Sequence, residues 1–489
     1  MISLLTSSEK RQLQLLDFLN RSITWWKIDT LASELQVSDN KIRKDIEKLL
    51  AFSQTEDNVF EILLDPLKGV YLKTDAQTSI QLIQSKYVKQ TVSYQLIDAL
   101  VQSNEISLND LLTKLYLSRS TLYRHVRRLN KVLAKNKLEI SVPSADLVGE
   151  EAAIREFLYY FYWSVADDGD WPFKTITSDT VYLSVKDYTD FGNIKYSKVE
   201  VIQVMFRLAI NFMRHSQKKF IQSMAGVEYV DPYRKAYIAS VSDLMPAIIP
   251  PDYRQNEENF LRLLIVSYPF LDERHLDYQK INRWYQKQNG QAYQLMFAIR
   301  QQLVAVSTDK PLVDNPILEF RLLAICIYSM VFPQLHLQLS ATRNKNQQFV
   351  NRLPEVYNKV SKVITPEKGG RNDLLLAEVY RVLEKSELIQ LFQPLLYVKL
   401  RCVKSPLTEP DLKRELLNRA KQKLSVDITK DNQQSTFSYD VFISDMRIPY
   451  TEQVKSKRFY LWQTQPTERD WEEIAKILSE CAAADSLEE

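Results

Sequence analysis

Apolar residues recur along most of this chain at helical spacing, and one stretch shows it most clearly. Leu122, Val126, Leu129 and Leu133 follow one another at intervals of four, three and four residues, which places them in one stripe on a helix. The opposite side carries Ser120, Arg124, Arg127 and Lys131, with Tyr123 and Arg128 flanking it. Ser118 stands at the N-cap position, and Leu111, Leu112 and Leu115 give a short preceding helix its buried face. A short helix, a turn and a longer basic helix predict a helix-turn-helix, whose second helix enters the DNA major groove.

The same pattern occurs 80 residues earlier. Leu31, Leu35, Val37, Ser38, Ile42, Ile46 and Leu49 fall on Leu111, Leu115, Leu117, Ser118, Leu122, Val126 and Leu129, and Lys44 falls on Arg124. A basic amphipathic helix by itself is most often a solvated face. A repeat of core, cap and basic positions at one offset argues for more. Each copy is followed by two β-rich runs around turn residues, at Pro66 and Gly69 and again at Pro143 and Ser144. Two winged helices in tandem are therefore expected. In the second, Arg119, Ser120, Tyr123 and Arg124 are placed for base edges, and Arg127, Arg128 and Lys131 for phosphates. The first offers Lys41, Arg43, Lys44 and Lys48 but also Asp39, Asp45 and Glu47, acids that would repel phosphates and weaken it. His125 sits beside the apolar stripe and reads as a packing residue with an exposed edge.

From Glu150 the pattern changes. An aromatic connector helix covers Gly149 to Val165, and helical segments follow from about Asp179 to Pro394. A loop bearing Ser307, Asp309, Pro311, Asp314 and Pro316 divides them into two bundles, and Gly369 and Gly370 mark a turn in the second. From Leu395 strand-like and helix-like runs alternate, which argues for a small, mostly parallel sheet. The expected fold is mainly α and multidomain, with domains at 1–76, 77–163, 164–286, 287–394 and 395–489.

Composition narrows the function. The chain has 489 residues and a formal net charge of only +3, so nucleic-acid affinity must come from a local patch. Arg119 to Lys137 supplies one, with seven Lys or Arg and no acid. Cys326, Cys402 and Cys481 lie far apart, which suits neither a disulfide framework nor a metal site and fits a reducing cytoplasm. Leu322 to Phe332 is too short to span a bilayer and reads as a buried helix. Only 8 glycines are present, and no phosphate-cradling motif occurs. No catalytic, metal or cofactor set is expected, and the chain does not read as an enzyme. Cys402 ends a strand where α/β folds place chemistry, but no glycine-rich anion loop follows it. His215, His275 and His336 lie near the ends of helical segments. They read either as surface or capping histidines or as phosphoryl acceptors, since neutral imidazole is a nucleophile.

The stretch LYLSRSTLYRHVRRLNKVLAKNKLEI, Leu115 to Ile140, resembles the second DNA-binding domain of the Mga family of Gram-positive transcriptional regulators. The order of domains resembles that family too. The resemblance implies two phosphotransferase regulation domains (PRDs) as the helical bundles and a terminal domain like an EIIB sugar-phosphotransferase subunit. It implies a cytoplasmic regulator that binds double-stranded DNA, self-associates as a homodimer or larger, and meets RNA polymerase if it activates. It further implies phosphorylation of His215, His275 or His336 by phosphocarrier proteins of the sugar phosphotransferase system. The missing glycine loop after Cys402 favours docking or oligomerisation over phosphotransfer in the EIIB-like domain. The alternative is a phosphotransferase-linked phosphotransfer or sugar-sensing protein, or an RNA-binding antiterminator. Antiterminators, however, usually begin with an RNA-binding sheet domain.

Overall fold

The computed structural model describes residues 2–56, 60–75, 77–103, 106–166, 171–192, 198–233, 246–268, 276–307, 315–332, 340–364, 373–393, 395–404, 406–420, 425–428, 438–446 and 455–488. The N-terminal part consists of two units of one build. The first contains α1 (Ser7–Leu19), α2 (Ile28–Glu34), α3 (Asp39–Thr55) and an antiparallel hairpin of β1 (Phe60–Asp65) and β2 (Gly69–Thr74). Helix α4 (Ile80–Gln90) follows. The second unit contains α5 (Val92–Gln102), α6 (Leu108–Lys114), α7 (Arg119–Leu133) and the shorter hairpin of β3 (Glu139–Ser141) and β4 (Asp146–Val148).

The sequence repeat is also a backbone repeat. Gln36 and Tyr116 both adopt φ 52°. The Val37 amide donates to the Ala32 carbonyl and the Leu117 amide to that of Leu112, each at 3.0 Å. Gln36 donates to Ser33 at 3.1 Å, and Tyr116 to Thr113 at 3.3 Å. These paired bonds are a Schellman closure, which satisfies the last carbonyls of α2 and α6 and aims the chain into the next helix. Leu31, Ile42, Ile46 and Leu49 are buried in the first unit, as are Leu111, Leu122, Val126 and Leu129 in the second. In the first wing, Trp26 and Val70 exchange backbone hydrogen bonds of 2.8 and 2.9 Å, adding a third short strand segment. Gly69 is required there. Its φ is 102°, and a Cβ would meet the Trp26 carbonyl oxygen at 2.1 Å.

Beyond the second wing come α8 (Glu151–Trp163), α9 (Ser178–Gly192) and α10 (Lys198–Ser216). Further helices are Pro251–Val266, Tyr278–Gln288, Gln291–Val306, Pro316–Val331, Ser340–Arg352, Pro354–Ile364 and Asp373–Lys385. Leu322 to Ile327 are buried, and no helix among the described residues is long and apolar enough to cross a membrane. The chain divides into two compact units, Met1–Tyr285 with Cys326–Arg343, and Gln286–Ile325 with Asn344–Glu489. Residues 308–314 of the expected dividing loop lie outside the described residues, as do Gly369 and Gly370 and most of the helix expected over 232–249.

The C-terminal segment forms a four-stranded sheet in the order β6-β5-β7-β8. Its strands are β5 (Leu395–Arg401), β6 (Ser425–Asp427), β7 (Ser438–Ser444) and β8 (Lys455–Leu461), and every pairing is parallel. Leu396, Val398, Leu400, Val441 and Ile443 pack with Leu416 of helix Glu409–Ala420 and with Trp471, Ile474 and Leu478 of helix Glu468–Glu488. Parallel strands need crossovers, and the alternating run predicted that.

Candidate nucleic-acid interface

Helix α7 starts where its cap predicts. Ser118 Oγ accepts the Thr121 amide at 3.3 Å, satisfying one of the first-turn donors. The Ser38 side chain makes no such bond at the start of α3. We therefore expect Ser118→Ala to cost about 1 kcal/mol of stability by denaturant unfolding, and Ser38→Ala distinctly less.

The apolar stripe faces inward, so the basic side faces solvent. Arg119, Ser120, Tyr123, Arg124, Arg127 and Lys131 are all exposed. Arg128 departs from the expectation. Its guanidinium donates to the Leu4 carbonyl and to Ser93 Oγ, both at 2.5 Å, tying α7 to the N-terminal turn and to α5. A side chain flanking the stripe is long enough to reach an orphan carbonyl, and once spent there it no longer serves a phosphate. The Asn130 amide clasps the wing, donating to the Ile140 carbonyl at 3.0 Å and accepting its amide at 2.8 Å. Nothing in the local pattern distinguishes Asn130 from any other flanking polar residue. His125 is half-buried, as expected. Burial lowers its pKa, and the nearby Arg128 and Arg124 charges add to the effect while Glu9 opposes it.

On α3, Lys41, Arg43, Lys44 and Lys48 are exposed, and so are Asp39 and Glu47. Asp45 corrects the expectation. It is 1% exposed, accepts Ser8 Oγ at 3.0 Å and Gln12 Nε2 at 2.7 Å, and pairs with Arg11. A buried, paired carboxylate does not repel DNA. The first helix thus presents two acids rather than three, and α7 presents none.

Of the three histidines, His275 and His336 lie outside the described residues. His215 is 1% exposed, so the surface or capping reading is corrected. Its Nε2 lies 2.9 Å from Glu257 Oε2. Arg155 holds Glu257 with both terminal nitrogens at 2.5 and 2.9 Å, and its Nε donates to Glu151 at 3.0 Å. Arg214 forks onto Glu151 at 2.8 and 2.7 Å. The Ile221 amide also donates to Glu257, at 2.9 Å. This network joins α8, α10 and helix Pro251–Val266. Its edge reaches the second winged unit, where Lys219 pairs with Asp146 of β4 and Gln217 donates to the Val101 carbonyl of α5 at 2.6 Å.

Burial raises the pKa of Glu257, but hydrogen bonds from His215 and Arg155 and the Arg155 charge outweigh it and hold it at about 2. Burial lowers the pKa of His215, and the Arg155 charge adds to the effect while Glu257 opposes it. The unfolded chain therefore binds this proton more tightly than the folded one. The stability this confers is complete above His215's ordinary value of 6.5 and is lost as pH falls below it. Glu257 adds a second loss as pH falls from 4.5 toward 2. Thermal unfolding at stepped pH should show the first decline in the parent chain and a flatter profile in His215→Gln.

Cys402 is 3% exposed, and burial, then Asp445 and Glu409, raise its pKa. The amides that follow β5 already have acceptors. Cys402 donates to Glu409 at 3.0 Å, and Val403 and Lys404 donate to the two Asp445 oxygens at 2.7 and 3.0 Å. In a parallel sheet this crevice is where ligands bind. Here two carboxylates take the amides that would face an anion, and their charge disfavours both a thiolate and an incoming phosphate.

Residues 76–162 match the model of the Mga helix-turn-helix domain. The chain is similar to the anthrax toxin expression trans-acting positive regulator of Bacillus anthracis, with 24% identity over 261 residues, 52% of this chain and 53% of that protein. It is also similar to the capsule synthesis positive regulator AcpA of Bacillus anthracis, with 24% identity over 214 residues, 42% of each. The chain spans about half the length of the curated relatives it matches, or less. The second helix-turn-helix unit falls inside the matched residues, so that part of the chain matches the Mga helix-turn-helix domain, and the chain is similar to positive regulators of Bacillus anthracis.

Proposed function

We propose that this protein is a DNA-binding transcriptional regulator, an activator like the relatives named above, that reads promoter DNA mainly through α7. The observation that carries this reading is an acid-free, solvent-exposed basic face on the second helix of a capped helix-turn-helix. Arg119, Ser120, Tyr123 and Arg124 serve base edges, and Arg127 and Lys131 serve phosphates. Lys41, Arg43 and Lys44 of α3 give a weaker second grip. The enzymatic footprint of the purified protein on DNA upstream of its own and neighbouring genes tests the reading. Protection of a discrete segment is expected, and protection of none overturns it.

The remaining chain governs when the reader binds. In this proposal 164–286 and 287–394 are PRD-like modules, 395–489 is an EIIB-like docking or oligomerisation module, and the protein acts in the cytoplasm as a homodimer that meets RNA polymerase. The ion network around Glu257 supports mechanical coupling of the helical part to the second winged unit. Phosphorylation by phosphocarrier proteins of the sugar phosphotransferase system would add roughly −1.5 to −2 charge at a histidine. Because His215 is sealed, label from phosphoenolpyruvate and the general phosphotransferase components should reach His275 or His336. His215→Ala should label like the parent, and loss of label in that variant would overturn the assignment. The alternatives, a phosphotransfer protein or an RNA-binding antiterminator, have less support: the amides after Cys402 are already taken by Glu409 and Asp445, and the exposed basic face lies on a helix-turn-helix.

A further inference from the structure

Seven non-glycine residues adopt positive φ among the described residues, and Tyr116 is the only aromatic one. The others are Gln36, Lys137, Ala145, Lys218, Asn289 and Glu387. At φ 52° a side chain with a Cβ is strained, which is why helix-turn-helix turns so often hold glycine at this point. A bulky ring there is a pronounced outlier. Packing does not offset the strain, because Tyr116 is 94% exposed. It lies two residues before the α7 cap Ser118 and three before Arg119, at the end of the helix expected to enter the groove. The Schellman bonds hold this backbone in both units, and Gln36 takes the same φ in the first, so the turn itself requires no aromatic ring. What sets residue 116 apart is an exposed phenol on a fixed corner beside the exposed basic face of α7, a placement that suits an external partner.

We propose that the Tyr116 hydroxyl donates a hydrogen bond to a DNA phosphate at the groove edge beside the start of α7. The proposal rests on the DNA-binding reading above. The Schellman closure fixes the backbone of residue 116, so the phenol is carried on a rigid corner rather than a mobile loop. Tyrosine is one of the side chains that position a protein on the duplex by such contacts. The contact is neutral, unlike those of Arg127 and Lys131. Its loss should weaken binding equally on every sequence, and its formation releases no counterion.

Tyr116→Gly and Tyr116→Phe separate this role from a structural one. Tyr116→Gly relieves the backbone and should raise the melting temperature by about 2–4 °C. It should also weaken promoter binding by roughly tenfold. Loss of affinity with gain of stability is an outcome that no folding defect produces. Tyr116→Phe keeps the ring and the strain and should lose as much affinity as the glycine variant. In both, the slope of log affinity against log salt should match the parent. Parent-like affinity in either variant overturns the proposal, as does a slope that falls by about one. If the parent itself protects no DNA, it is the DNA-binding reading that fails, which the same titrations reveal.

Discussion

Arg124→Ala combined with Arg127→Ala is expected to abolish high-affinity promoter binding while leaving the fold intact. Both side chains are exposed on α7, outside the buried stripe of Leu122, Val126, Leu129 and Leu133. Their removal therefore creates no cavity and strands no buried partner. In the proposed reading Arg124, near the start of the helix, meets a base edge, and losing such a contact costs about 1–3 kcal/mol and relaxes specificity at one position. Arg127, further along, is proposed to meet a phosphate. Its loss should reduce the slope of log affinity against log salt by about one and weaken binding on all sequences alike. Fluorescence anisotropy at several salt concentrations, with the promoter and a scrambled duplex, resolves the two contributions. An unchanged affinity and slope would remove α7 from the interface. The corresponding pair on α3 is Lys44 with Glu47, so alanine at Lys44 should have a smaller effect.

Arg155→Ala is expected to be the most damaging single change to the fold. Arg155 is buried, bonds Glu257 with two nitrogens and reaches Glu151 with a third. Truncation leaves Glu257, itself 1% exposed, with its main counter-charge removed. Breaking a buried ion pair from one side costs about 3–5 kcal/mol, because a charge stays behind in a low-dielectric site. Glu257→Ala on top of Arg155→Ala should cost much less than the sum of the two single changes, since the double variant leaves neither charge stranded. Additive losses measured by denaturant unfolding would show that the two residues act independently. Since α8 follows the second wing directly, Arg155→Ala should also loosen the wing, visible as faster amide exchange at Ile140 and Leu147.

The sequence is most legible where the physics is local. Stripe spacing, the Ser118 cap and the basic face lie within one helix, and the repeat at 80 residues displays them twice. The alternating runs after Leu395 announce parallel strands because a crossover helix must separate them. The Schellman turns leave no mark in the sequence. Gln36 and Tyr116 are not turn residues by type, and their positive φ follows from how α2 and α6 close.

Tertiary structure alone decided the fate of several charged residues. Arg128 looked like a phosphate contact, but its partners are Leu4, 124 residues away, and Ser93, 35 away. Asp45 looked like a repelling acid, but α1 brings Arg11 and Gln12 over it from more than 30 residues away. His215 sits where an apolar stripe gives way to Ser216, Gln217, Lys218 and Lys219, a pattern that reads as surface. Glu257, 42 residues on, and Arg155, 60 residues back, enclose it. The chain by itself therefore determined the repeated helix pairs and the polarity of α7, because periodicity and capping act within a few residues. Which charges remain available to a partner was decided by the fold. A charged side chain is spent or exposed according to what distant segments place beside it, and no local pattern encodes that neighbour.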